Sequence, residues 1–143
     1  MVVNVDIHLQ FIPGVGFMAR NSQNQVVLMK APIPDIPPAG PSPMELLLMA
    51  LAGCTGYDVL SILFKMRQKV ESFEIHVSGV RRDEDPRVYT YVDLKYIVRG
   101  DVDEKKLSEA IKLSMEKYCS VSAMLRDGGV KINVSHEIHR ASN

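Results

Sequence analysis

"SPMELLLMALAGCTGYDVLSILFKM", residues 42–66, decides how this chain is read. Ser42 suits a helix N-cap and Pro43 the first helical position, while Glu45 completes an S-x-x-E capping box. From Glu45 to the next charge at Asp58 the segment is uncharged, so the spacing predicts one long, largely buried helix. Its middle carries a thiol, Cys54, between Gly53 and Gly56. Ala50, Gly53, Cys54 and Tyr57 stand at i, i+3, i+4 and i+7 and share a face where small residues admit another backbone. Leu46, Leu47, Leu60 and Leu63 make the remaining faces apolar. A helix of that kind is wrapped by protein, either its own sheet or a second chain, and composition leaves both open.

Working outward, residues 2–11 and 26–30 read as strands joined by a segment around "PGVGF" and "NSQNQ". "KAPIPDIPPAGPSP" then holds six of the eight prolines, a semi-rigid loop that delivers the chain to the helix. Beyond the helix, Phe73, Ile75 and Val77 alternate on one face. Val92, Leu94, Tyr96 and Val98 alternate against Asp93, Lys95 and Arg99, and the charged turn "RRDEDPR" makes a hairpin of the two runs. Asp103 caps a helix bearing Leu107, Ala110, Ile111, Ser114 and Tyr118 at helical spacing. Around Cys119 the chain resets into a short helix, "SVSAMLRDGG", and "VKINVSHEI" forms a last strand. The order β-β-α-β-β-α-β reads as a single α+β domain over 1–143 with a mainly antiparallel sheet.

The 143 residues carry 17 basic and 17 acidic side chains, a balance that gives no drive toward nucleic acid or anionic membranes. Twelve uncharged residues between Glu45 and Asp58 fall short of the roughly 20 that span a bilayer. "MVVNVDIHLQ" lacks the basic start and apolar core of a signal peptide. The expectation is a cytoplasmic protein, where two cysteines are free or redox-active rather than a permanent staple.

Cys54 alone reads as a core thiol, with Asp58 one turn away opposing its ionisation. Cys119 stands where a helix begins, and backbone N–H groups there favour a thiolate. Together the pair meets a known chemical need: one thiol is oxidised to sulfenic acid and a second captures it as a disulfide. Of His8, His76, His136 and His139, the pair His136-x-x-His139 falls on opposite faces of a strand, and neither C-x-x-C nor H-E-x-x-H occurs; no metal is expected, a zinc site assembled from distant residues being the lesser alternative. No elbow, phosphate loop or dinucleotide fingerprint is present, and no cofactor is expected. Arg81, Arg82 and Arg87 are a source of guanidinium for a cysteine site. Eight methionines and the small-residue helix face also suit an adaptable apolar pocket, hence a small-molecule binding module with structural cysteines.

"AGPSPMELLLMALAGCTGYDVLSIL" and "EKYCSVSAML" together resemble the two cysteine motifs of the OsmC/Ohr family, the osmotically induced and organic hydroperoxide resistance proteins. "RRDEDPRVYTYVDLKYIV" resembles the hairpin of its YhfA-like branch. The resemblance runs from about residue 25 onward. It implies an OsmC-like intertwined homodimer, mainly antiparallel sheets around the long central helix, and a site at the dimer interface. It also implies reduction of a small-molecule hydroperoxide by thiols, with Cys54 as peroxidatic thiolate, Cys119 as resolving thiol and an external dithiol as reductant. The hydroperoxide-resistance branch supports its thiolate with an arginine from the N-terminal hairpin and a glutamate ten residues before the first cysteine. Here Gly14, Val15 or Gly16 stands near the arginine position, with Arg20 displaced toward the turn. Met44 stands at the glutamate position, with Glu45 one residue later. Arg82 is the alternative cation.

Overall fold

The computed structural model describes residues 2–141, which divide into two units between Leu47 and Leu48. In the first unit, β1 (Ile7–Ile12), β2 (Gly16–Asn21) and β3 (Val26–Met29) form an antiparallel sheet in that order. β2 lies inside the segment read from sequence as a connection. It is short, and turn residues flank it on both sides, which hides its period. Gly14 at φ +79° serves the first turn. Asn21 Oδ1 accepts from the backbone N–H of Gln23 and Gln25 at 3.0 Å each, which fixes the second. The proline-rich loop closes on itself at its base, where Lys30 N–H donates to the Pro41 carbonyl at 3.0 Å.

α1 (Pro43–Lys65) starts on the expected capping box. Glu45 N–H donates to Ser42 Oγ at 3.2 Å, and Ser42 N–H donates to Glu45 Oε1 at 3.0 Å. In the second unit, β4 (Lys69–Arg81) and β5 (Tyr89–Asp101) form the expected hairpin. Val92, Leu94, Tyr96 and Val98 are buried along one face of β5, as the alternation requires. α1 presents Leu51, Thr55, Val59 and Leu63 inward, all fully buried. Gly56 lets it approach the sheet: a Cβ there would stand 3.2 Å from Ile75 Cδ1 and 3.6 Å from Phe73 Cε1. By length and composition α1 could cross a bilayer, yet its inner face belongs to this core.

From β5 the chain passes through α2 (Glu104–Leu113), capped by Asp103, whose carboxylate accepts from Lys106 N–H at 3.1 Å. A π turn (Ser114–Tyr118) and α3 (Ser120–Asp127) follow, then β6 (Lys131–His139). β6 pairs with β5 in parallel, because a crossover that includes helices returns the chain to the starting end of the strand. β5 is therefore central in the order β4-β5-β6, and the two sheets remain mainly antiparallel. Tyr118, placed by helical spacing on the buried face, is 49% exposed. The π turn adds a residue and rotates the chain beyond Ser114, which stays fully buried.

Candidate functional site

The crossover brings the two cysteines together. Cys54 and Asp58 are one turn apart on α1, while Cys119 follows the π turn and caps α3. The two sulfurs and a carboxylate oxygen of Asp58 all lie within 4.8 Å of one another. Both cysteines are free, Cys54 half-buried and Cys119 buried. Residues 65 apart in sequence thus form one cluster, placed by the 2.7 Å bond from Cys119 N–H to the Ser114 carbonyl. That bond spans five residues and is the one the π turn creates.

A buried chain of hydroxyl groups runs up to the cluster. Ser114 Oγ donates to Asp58 Oδ2 at 3.0 Å, and Thr55 Oγ1 lies 2.7 Å from Ser114 Oγ. Tyr96 Oη lies 2.6 Å from Thr55 Oγ1. Because Ser114 spends its proton on Asp58, Thr55 donates to Ser114 and Tyr96 donates to Thr55. All three hydroxyl dipoles therefore point toward Asp58 and hold its carboxylate beside the thiols. Burial pushes Tyr96 up to about 12, so the phenol keeps the proton that this chain needs. Thr55, Ser114 and Tyr96 were invisible as a site in the sequence, where they fill inward positions of three separate elements. Their one signal is a hydroxyl on each of three otherwise apolar faces.

Cys119 differs from its sequence expectation. Its Sγ accepts from Ser122 N–H at 3.4 Å, as a residue at a helix start should. Burial nevertheless pushes the thiol above its ordinary range; the Ser122 hydrogen bonds pull it down, and the neighbouring Cys54 thiol adds to the rise. Desolvation outweighs the helix terminus, so Cys119 is held as the thiol.

The supporting candidates sit elsewhere. Glu45 is exposed and its carboxylate serves the cap, where the Ser42 backbone N–H holds it below its ordinary value. Arg82 lies at the hairpin turn, its Nε donating to the Pro86 carbonyl at 2.6 Å. Ile75, paired with Tyr96, is seven residues back on β4, about 23 Å at ~3.3 Å per residue. Within one chain the Arg82 guanidinium is not brought to the thiols. In the first unit Arg20 Nη2 donates to Gln10 Oε1 at 2.8 Å, while its Nε is buried without a hydrogen-bond partner.

An α+β fold that joins thiols from a long helix and a π-turn junction defines the class. The family model for OsmC-like protein matches residues 36–135, and the chain belongs to that family. It is 39% identical over 131 residues to protein YhfA of Escherichia coli strain K12, covering 91% of this chain and 95% of that protein. A solved structure of a hypothetical protein from Aquifex aeolicus VF5 superposes with a TM-score of 0.85 at 33% identity, covering 99% of this chain and 100% of that one. An organic hydroperoxide resistance protein OsmC from Legionella pneumophila superposes with a TM-score of 0.69 over 96% of this chain and 98% of that one. At 13% identity it shares the fold alone.

Proposed function

We propose that the protein is a thiol-dependent hydroperoxide reductase in which Cys54 attacks and Cys119 resolves. The observation that carries this reading is the meeting of two free thiols within 4.8 Å, one half-buried and one buried. Cys54 thiolate attacks the terminal oxygen of R–O–O–H, the O–O bond breaks, and R–O⁻ leaves and takes up the proton Cys54 had lost. Cys54 is then a sulfenic acid. Cys119 sulfur attacks the Cys54 sulfur, the S–O bond breaks, and the hydroxide leaves with the Cys119 proton as water. One hydroperoxide and two thiols become an alcohol, a water and a disulfide, which an external dithiol reopens by exchange. The kept proton on Cys119 suits this order, since the resolving thiol must stay unreacted until the sulfenic acid exists. The reaction belongs in the cytoplasm, where dithiol reductants keep such pairs reduced.

The same reading places the site in a homodimer. Only 28% of the apolar span of α1 is buried within one chain. Beside it, Ala52, Gly53, Gly56, Tyr57, Leu60, Phe73 and Ile75 line an open apolar groove of about 440 Å³. A second copy covers this face and supplies a guanidinium that favours the Cys54 thiolate. Arg82, without an acidic partner among the described residues, and Arg20, with its unpartnered Nε, are the two candidates. The groove also supports the second reading, an apolar-ligand binding module with structural cysteines.

Incubating the reduced protein with a modest excess of cumene hydroperoxide, then counting thiols by mass spectrometry, tests the reaction. Loss of both thiols with formation of one disulfide is expected. An unreacted pair would remove the peroxidase reading. Cys54→Ser separates the alternatives, because it ends peroxide consumption under the first and leaves ligand retention intact under the second.

A further inference from the structure

The cluster of Cys54, Asp58 and Cys119 has a chemistry that the redox reaction does not use. We propose that the reduced form binds one thiophilic divalent cation of the zinc type through Cys54 Sγ, Cys119 Sγ and an Asp58 carboxylate oxygen. The donor set is two sulfurs and one oxygen, the mixture that zinc takes and that magnesium and calcium, which demand oxygen shells, do not. Zinc sits about 2.3 Å from sulfur and about 2.0–2.2 Å from carboxylate oxygen, so its tetrahedral ligand atoms stand roughly 3.5–3.8 Å apart. The three atoms already lie within 4.8 Å of one another, and a contraction of about 1 Å completes the triangle.

The surroundings support the ligands as metal sites require. Ser114 Oγ holds Asp58 Oδ2 at 3.0 Å and leaves the other carboxylate oxygen to bind. Ser122 N–H reaches Cys119 Sγ at 3.4 Å and fixes its rotamer. Asp58 and Cys54 come from one face of α1, a rigid element, and Cys119 from a junction fixed by Ser114. Three protein ligands leave the fourth tetrahedral position open to water. Binding is a proton exchange and moves no electrons: both sulfurs bind as thiolates, and any proton still on them, that of Cys119 included, passes to solvent.

The consequence for control rests on the peroxidase reading. An ion on Cys54 occupies the lone pair that attacks peroxide, and closing the disulfide removes two of the three ligands and ejects the ion. Metal and peroxide thereby compete for one dithiol: bound metal slows oxidation, and the disulfide, once formed, no longer holds the ion.

The test is a titration of the chelator-treated, phosphine-reduced full chain with Co²⁺ without oxygen, followed by Zn²⁺. A sulfur-to-cobalt charge-transfer band that saturates at one ion per chain, with protons released as it forms, and that one equivalent of zinc erases with no further proton release, is expected. Asp58→Asn weakens binding by about tenfold or more, and Cys54→Ser or Cys119→Ser removes the charge-transfer band. Iodoacetamide-blocked wild-type protein, which needs no variant to fold, must also lose it. Absence of the band in the reduced protein, or an unchanged band after blocking, overturns the site. Peroxide consumption by the metal-free protein is measured in parallel. Consumption without a cobalt band strikes out the site and leaves the peroxidase, while a band without consumption keeps the site and strikes out the gating.

Discussion

The two faces of α1 are made from similar residues and meet opposite fates. Leu51, Thr55, Val59 and Leu63 are fully buried, and the one polar group among them is hydrogen-bonded on both sides. On the other side Met49, Tyr57 and Phe64 are 55%, 78% and 58% exposed, and nothing lies within 4 Å of where a Gly53 Cβ would be. The inner face is finished by its own sheet; the outer face is as apolar and unfinished. A single chain therefore accounts for the fold of the cysteine site but not for the whole surface of the helix that carries it.

The largest expected difference between the faces is in stability. Leu63→Ala leaves a cavity in a filled core and is expected to cost about 2–5 kcal/mol, measured by urea unfolding. Phe64→Ala, its exposed neighbour, is expected to cost little in a dilute monomer and to lower the thermal midpoint only at concentrations where copies associate. Equal losses at all concentrations would show that the outer face is not an association surface. Next comes the hydroxyl chain. Ser114→Ala strands Thr55 and releases Asp58, and a loss of about 1–3 kcal/mol is expected. A change within the error of denaturant titration would mean that the chain does not hold the site.

The two glycines give a smaller, signed test. In a lone chain Gly53→Ala meets open space and gains helix propensity, worth about 1 kcal/mol. Gly56→Ala meets Ile75 Cδ1 at 3.2 Å, so the same gain is offset by crowding. If Gly53→Ala instead destabilises and lowers the oligomer mass by light scattering, that face is in contact with a second copy, as the dimer requires. The smallest effect is spectroscopic. Tyr96 favours its neutral phenol when folded, at about 12 against an ordinary 10.0, so its contribution to stability is full below pH 10 and fades as pH rises toward 12. A phenolate titration is expected to show a last step near 12 that Tyr96→Phe deletes, apart from that of Tyr91, which its hydrogen bond to Asp93 also raises. A step near 12 that survives in the variant would assign it to another tyrosine.

Much of this architecture was legible because the signals were local. The Ser42–Glu45 capping box, the Asp103 cap, the period-2 burial of β5 and the restart of helix after Cys119 all depend on neighbours a few residues away. β2 and the parallel pairing of β6 were not legible, since a strand of six residues between turns has little period and pairing direction is a property of the crossover. The thiols could be named from motifs, but their meeting depends on the π turn at Ser114, which rotates Cys119 inward and Tyr118 outward. Periodicity assumes 3.6 residues per turn and cannot register that extra residue. For the same reason the helix start at Cys119 suggested the wrong sign of shift: capping is local, whereas the burial that dominates it is tertiary.

The division of labour between the thiols is tested most directly by the Cys119→Ser variant given one equivalent of hydroperoxide in the presence of a sulfenic-acid trap. One peroxide consumed per chain and the trap attached to Cys54, with no disulfide, are expected. Unconsumed peroxide in that variant, together with turnover or trapping at Cys119 in Cys54→Ser, would contradict it.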